Sequence, residues 1–382
     1  MANSPVAVPI EIHGHTEAGF EPVRLAFEQN FSREEVGASI VVIREGRTLV
    51  DLWAGYADRA RTMPWRRESL VNVWSTTKGI ASLCCAMLVD RGELDYDEAV
   101  AHYWPEFGAH GKRNVTVAML LSHQAGLSGL REPVDWLDFC DGERINELLL
   151  AQEPLFEPGS ASGYHATTFG PLVDGLFRRV AGRSIGSFLD DEVAGPLAAD
   201  FFIGLPESEE HRVAEMIGYD TGAMSIKFVN DVQRLALGNP KADPEISNLR
   251  AWRAAEIPSV NGQATAAGIA KIYGALANGG ELDGTRLLSP DTLVKATALR
   301  HEGVDRVFML PFGWGAGFIR NVHKVLYGPN PHAFGHTGYG GSYGFADPER
   351  RIGVGYVMNK MGASLIGDTR GANLIRALYS CH

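Results

Sequence analysis

Ser75-Thr76-Thr77-Lys78 opens a long apolar segment, Gly79 to Val89, and sets a hydroxyl and an amine three residues apart. Residues at that spacing share a helix face. A helix beginning near Ser75 brings the lysine nitrogen within reach of the serine oxygen, and it leaves Ser75 among unpaired backbone N–H groups at the positive end of the helix dipole. A serine hydroxyl hardly ionises near pH 7 and attacks a carbonyl only when a neighbour takes its proton. A free lysine, with a pKa of about 10.4, becomes such a base when desolvated or set beside another cation; a shift of roughly three units requires about 4 kcal/mol. Most S-x-x-K matches are solvated helix edges. Here Trp74 precedes the motif, no other serine is followed three residues later by lysine, and a charge entering so apolar a helix needs a reason.

Around this motif the composition is ordinary for a globular chain: 382 residues, 45% hydrophobic and 21% charged, enough for one large domain or two intimately joined ones. The formal charge of −11 argues against nucleic-acid or anionic-membrane partners, which call for a basic surface. No segment reaches the roughly 18 apolar residues that span a bilayer. The first twenty residues interleave Pro5, Pro9, Glu11, His13, His15 and Glu17 with short apolar pieces, unlike a secretion signal. A cytoplasmic location is therefore expected. The four cysteines, Cys84, Cys85, Cys140 and Cys381, have neither zinc-site nor disulfide-framework spacing. Cys84 and Cys85 read as small buried hydrophobes. His332 and His336 are four apart, but their Gly/Pro-rich surroundings argue against a helical metal pair. No metal and no cofactor is expected.

The periodicity divides the chain into regions. Residues 36–56 read as a β-hairpin, with Ala38–Ile43 and Thr48–Trp53 joined at Glu45-Gly46. From Ser75 to about Gly280 apolar spacing is mainly helical, at Val117–Leu121, Ile145–Leu150, Thr168–Val180 and Ala266–Leu276. Strands return at Gly313–Ile319, Lys324–Tyr327, Gly341–Ala346 and Ile352–Met358, and Ser364–Tyr379 reads as a closing helix. The charged stretch Glu207–Arg250 reads as a surface excursion over a cleft. The expected fold is α+β: an antiparallel sheet formed by both chain ends and flanked by helices, with an inserted α-helical lobe. Residues 1–74 and 290–382 would form the α/β lobe, residues 75–289 the mainly helical lobe, and the active site would lie in the cleft between them.

Two further segments suit the chemistry of an activated serine. Tyr164-His165-Ala166 follows the turn Glu157-Pro158-Gly159-Ser160 and precedes a helical pattern. A phenol beside Lys78 could share its proton and act as acid and base in turn. Gly335-His336-Thr337-Gly338-Tyr339-Gly340-Gly341-Ser342 is a glycine-rich strand edge that allows close approach of a substrate. The N–H groups of Ser75 and Tyr339 could together hold a tetrahedral oxyanion, an effect of about 3 to 4 kcal/mol per donor. Taken singly, Tyr164 is an ordinary half-buried tyrosine and the glycine segment an ordinary hairpin.

Taken together, in this order, the motifs resemble the serine β-lactamase and penicillin-binding-protein superfamily. Thr116–Leu127 and Gly262–Gly280 also look like segments of its class C-like branch, so the likeness spans nearly the whole chain. The Tyr-His-Ala and Gly-His-Thr-Gly versions look most like the family VIII carboxylesterases of that fold. The resemblance implies Ser75 as nucleophile, Lys78 and Tyr164 as the proton-handling pair, and the Ser75 and Tyr339 N–H groups as oxyanion hole. His336, Thr337, Gly338 and Trp314 are the expected substrate contacts, and Trp136, Trp252, Tyr219 and Phe312 are further wall candidates. Class C β-lactamases carry Tyr-x-Asn and Lys-Thr-Gly where this chain has Tyr164-His165-Ala166 and His336-Thr337-Gly338. A mostly neutral imidazole anchors a carboxylate poorly, which favours small uncharged esters over penicillins.

The expected function is thus a serine carboxylesterase acting through an acyl-serine on a small-molecule ester, with homo-oligomerisation left open. The alternatives within the fold are a β-lactamase, a D-amino-acid peptidase or amide hydrolase, and an acyltransferase, which differ in the donor that fits and in what resolves the intermediate. Outside enzymes, a catalytically silent binding or sensor module would keep the fold. Gly340-Gly341-Ser342-Tyr343-Gly344 also matches the G-x-S-x-G elbow, but that elbow needs a strand before the serine and a helix after it, and here strand follows Ser342.

Overall fold

The computed structural model describes residues 10–219 and 227–381; residues 1–9 of the stretch read for a secretion signal, 220–226 of the charged excursion, and His382 lie outside them. The 36–56 hairpin forms as Gly37–Arg44 and Arg47–Gly55, turning at Glu45-Gly46 with φ of 48° and 81°. It joins an antiparallel sheet ordered Ile12–Thr16, Arg47–Gly55, Gly37–Arg44, Ile352–Met358, Tyr343–Asp347, Phe334–Thr337, Ile319–Arg320, Pro311–Trp314, His301–Val304. The two chain ends meet where Ile40 pairs Tyr356 and Val42 pairs Val354. The architecture is α+β, as expected.

The central strand Ile352–Met358 is buried at every residue, so both faces are covered. Alternation sends Gly353 and Gly355 to one face and Tyr356 to the other. The glycine face, with Gly344 of the neighbouring strand, receives the helix Ala266–Ala277 at close range. A Cβ on Gly353 would lie 2.1 Å from Gly274 N, and one on Gly355 2.3 Å from Ala266 O. The helix Thr76–Asp90 lies beside it against Phe334–Thr337 and is buried from Thr76 to Leu88. A Cβ on Gly79 would stand 2.1 Å from Tyr273 Oη, so glycine sets how closely these helices approach. On the opposite face Glu21–Phe31 packs with the closing helix Thr369–Ser380.

The strand read at Gly313–Ile319 is corrected to two short strands, Pro311–Trp314 and Ile319–Arg320. Gly317 takes φ 84° between them, where a Cβ would overlap Ser82 Oγ at 1.8 Å, and Gly315 N closes the turn on Phe318 O at 2.8 Å. Lys324–Tyr327 is a loop rather than a strand. Asn321 satisfies its backbone, donating to Gly328 O and Asn330 O and accepting from Leu326 N and Tyr327 N. The closing helix begins at Thr369, not Ser364, because Asp368 caps it by accepting from Gly371 N. The strand Ile12–Thr16 and the helix Glu21–Phe31 carry too short a periodicity to be read in the sequence.

Replacing Gly353 by alanine should push the Ala266–Ala277 helix off the sheet and cost about 2 to 3 kcal/mol in urea unfolding. Gly142→Ala, at a helix start with no atom within 4 Å of the new methyl, should be neutral or stabilising by up to about 1 kcal/mol. Equal midpoints for the two variants would contradict the close-packing account.

Candidate active site

Ser75 is delivered by a short, strained connection. The strand Val71–Asn72 ends, Trp74 takes φ 48°, and the helix starts at Thr76 with Ser75 at its N-cap. A left-handed aromatic residue costs about 1 to 2 kcal/mol, which the surroundings must hold in place. They do so through Val73 N bonded to Gly262 O, Gly262 N to Thr77 Oγ1, and Ser342 Oγ to Val73 O.

One turn on, Lys78 is fully buried, with Nζ 3.2 Å from Ser75 Oγ, 2.7 Å from Ala166 O and 3.0 Å from Ser259 O. Burial holds its pKa well below the lysine range, and no carboxylate offsets the desolvation. A neutral amine has two N–H donors and one lone pair. In that form the two carbonyls take both donors, and the lone pair is left for the serine hydroxyl.

Tyr164 is in hydrogen-bonding reach of Ser75, and burial raises its phenol above the usual range while the Ser75 contact lowers it and Asp305 raises it. Its ring is clamped between Phe308, centroids 4.5 Å apart, and Trp314, 5.8 Å away and nearly parallel. Asp305 fixes that clamp, since its Oδ1 accepts from the backbone N–H groups of Tyr164, Val307 and Phe308. Lys78 Nζ sits 4.8 Å from the Tyr164 ring centre and 5.7 Å from that of Phe169.

Ser75 and Tyr339 line one cavity of about 400 Å³. Among the described residues neither backbone N–H donates to a protein acceptor, although Thr76, Gly338, Gly340 and Gly341 all do. The cavity wall includes Trp136, Tyr219, Phe308, Leu310, Leu237 and Ile366, and among the described residues no Asp, Glu, Lys or Arg lines it.

With this geometry in hand, comparison with known proteins gives a family. A family model described as Beta-lactamase matches residues 24–377. The chain belongs to the beta-lactamase family. Within it, the chain is 37% identical over 368 residues to the esterase/beta-lactamase LipL of Mycobacterium tuberculosis, covering 93% of this chain and 84% of that protein. It is similar to the crystal structure of a family VIII carboxylesterase, with 48% identity and a TM-score of 0.92, over 97% of this chain and all of that one. A penicillin-binding-protein homologue from Caulobacter crescentus matches with 46% identity and a TM-score of 0.92, over 97% and 99% of the two chains.

Other sequence-derived residues of this beta-lactamase-family chain sit differently from their expected places. His336, Thr337, Gly338 and Trp314 do not line the cavity. Trp314 is fully buried behind Tyr164, and His336 is buried, with Nδ1 donating to Thr337 O at 2.8 Å. Burial and nearby Lys78 push the His336 pKa down to about 3, so its ring is neutral at pH 7. Of the wall candidates, Trp136 and Tyr219 face the cavity, whereas Trp252 and Phe312 are core. Ser342 is buried and bonded to Val73 O, and a strand follows it, so the G-x-S-x-G match has no elbow.

His165 turns into the core. Nδ1 donates to Gly163 O, Nε2 accepts from Leu127 N, and burial lowers its pKa to about 3. His123, at φ 63°, accepts from His165 N, which locks the 122–128 segment to the Tyr164 loop. Sequence reasoning missed the Ala166 and Ser259 carbonyls and Asp305. Main-chain acceptors leave no side-chain signature, but the Asn261-Gly262 pair was a turn signal beside Ser259, and Asn261 does anchor that loop through Trp252 O and Ala255 O.

Because folding depresses the Lys78 pKa, the unfolded chain binds the extra proton at every pH between the folded-state value and about 10.4. Stability contributed by this site therefore rises with pH across that window. Between about pH 7 and pH 9 wild type should gain on Lys78→Met by up to about 1.4 kcal/mol per pH unit in urea unfolding. Parallel stability curves would mean that the buried amine keeps its proton.

Proposed function

We propose that the protein is a carboxylesterase that hydrolyses small uncharged carboxylic esters through a covalent acyl-serine on Ser75. The observation that carries this reading is an apolar, aromatic cavity, free of charged side chains among the described residues, with Ser75, Tyr164 and the unpaired Tyr339 N–H in its wall and Lys78 directly behind Ser75. Esterase names among the relatives, LipL and the family VIII carboxylesterase structure, support it. So does the EstB esterase of Burkholderia gladioli, 28% identical over 351 residues.

In the first step Lys78 takes the Ser75 proton as Oγ attacks the ester carbonyl. The ammonium that forms is received by Ala166 O, Ser259 O and the faces of Tyr164 and Phe169, acceptors already in position. The Ser75 and Tyr339 N–H groups hold the oxyanion. Tyr164, neutral at pH 7, relays the proton to the departing alcohol, and the same groups reverse roles as water attacks the acyl-serine.

The proposed division puts residues 1–74 and 290–382 in one lobe and 75–289 in the other, with the cavity in the cleft. The helix Ala266–Ala277 falls in the second range yet packs on the sheet, so it serves as the floor shared by both. A cytoplasmic location is part of the proposal, supported by four unpaired cysteines. Among the described residues no helix is long and apolar enough to cross a membrane.

The β-lactamase reading draws on the LipL name. Against it stand a neutral, buried His336 and a cavity that offers, among the described residues, no cation to meet a lactam carboxylate. On p-nitrophenyl butyrate, Ser75→Ala should lose more than about 10³-fold in kcat/KM, with large losses also for Lys78→Ala and Tyr164→Phe. Nitrocefin should turn over far more slowly than the ester. Ester turnover undiminished in Ser75→Ala would overturn the reading, and preferential nitrocefin hydrolysis would replace it with the lactamase one.

A further inference from the structure

The Tyr339 N–H sits in the turn Gly338–Gly341, whose neighbours on either side are pinned. Gly338 N donates to Ser342 O at 2.7 Å, and Gly340 N donates to Ser364 O at 3.2 Å. The Gly340 carbonyl accepts from Gly362 N at 2.9 Å and from Arg370 Nη2 at 2.8 Å. Gly340 and Gly341, at φ 87° and 129°, have no side chains to stop their half of the turn rotating. The peptide that carries the Tyr339 N–H is closed within the turn, Gly341 N donating to Gly338 O at 3.2 Å, and the peptides on the far side of Tyr339 are held from outside.

Arg370 is the outside hand. Its side chain is 4% exposed, and all five of its N–H donors are used. Nε and Nη2 donate to Asp368 Oδ2, Nη1 to Glu35 Oε1 at 2.8 Å and to Lys360 O at 2.7 Å, and Nη2 to Gly340 O. Each partner is fixed in turn: Glu35 accepts from the Tyr356 phenol, and Asp368 caps the closing helix. The Lys360 segment pairs with Ile217, two residues before Tyr219, whose phenol bonds that of Tyr339 at the cavity wall. One guanidinium therefore fixes the main chain behind the turn and behind the segment facing it.

Two carboxylates surround this single cation, so the cluster offers no net positive field to an oxyanion. Buried ion clusters are also poor sources of stability compared with apolar replacements. What the guanidinium supplies that an apolar group could not is a rigid fork on two carbonyls. Resting on the reading of Ser75 and Tyr339 as oxyanion donors, we propose that Arg370 is a positioning residue that aims the Tyr339 N–H at the reacting carbonyl.

The test compares Arg370→Lys with Tyr339→Pro and Tyr339→Phe on p-nitrophenyl butyrate, with active sites counted by a fluorophosphonate. A lysine at 370 keeps the charge but cannot span both carbonyls. It should lower kcat per active site by about a hundredfold, with KM within about threefold, as expected for a misaimed transition-state donor. Affinity for an alkyl boronic acid, whose tetrahedral adduct places an oxygen in the hole, should fall by a similar factor. Should Arg370→Lys fail to fold, the Glu35→Gln/Arg370→Gln pair, which buries no unpaired carboxylate at 35, takes its place with the same expected losses. Folded Arg370 variants with wild-type kcat and boronate affinity would overturn the proposal, provided Tyr339→Pro is impaired relative to Tyr339→Phe. Equal rates for those two Tyr339 variants would instead overturn the oxyanion-hole reading on which it rests.

Discussion

An amine buried without a counter-ion is the constraint around which the molecule is organised. Lys78 lies on a helix that is buried on all sides, and nothing acidic offsets its desolvation. In water such a group would hold its proton at neutral pH; here the apolar packing opposes it. The same packing sends its two N–H bonds to main-chain carbonyls and its lone pair to Ser75. If the helix were tilted by a few ångströms, water would reach Nζ and the serine would face an ammonium. The glycines at 79, 344, 353 and 355, which let helices and sheet approach at backbone distance, are therefore part of the chemistry although far from the substrate.

Neutrality extends beyond the lysine. The Tyr164 phenol is pushed up by burial, while His336 and His165 are pushed down, so the groups around Ser75 sit uncharged at rest. An incoming neutral ester displaces no fixed ion pair. Under the proposed mechanism charge first appears in the transition state, where the unpaired Ser75 and Tyr339 N–H groups and the Ala166 and Ser259 carbonyls would receive it. A carboxylate-bearing ligand would meet aromatic rings and, among the described residues, no compensating cation.

Much of this was legible in the sequence because the deciding features are local. An S-x-x-K pair at the head of an apolar run specifies helix, burial and proximity together, and the hairpin read at 36–56 announces itself by β-branched residues and a Glu-Gly turn. Less legible was what depends on partners distant in the chain. His336 and Trp314 sit in motifs that read as substrate contacts, yet burial turns both away from the cavity and makes them backing for Tyr164. Gly313–Ile319 reads as one strand, but Gly317 has to pass against Ser82 and breaks it. Arg370 and Asp305 have no motif. Their meaning lies in which carbonyls and amides they reach, and those belong to segments tens to hundreds of residues away.

The pairing of Gly37–Arg44 with Ile352–Met358 has a consequence for how the enzyme is made. Gly37–Arg44 waits for a partner translated more than 300 residues later, so this part of the sheet cannot close until Ile352–Met358 has been made. Until it does, the glycine bed for the helices is missing and water has access to the lysine. Contacts of such range form slowly and leave apolar strands exposed in the interval. A polypeptide that stops short of residue 352 thus carries Ser75 without the packing that buries Lys78 beside it.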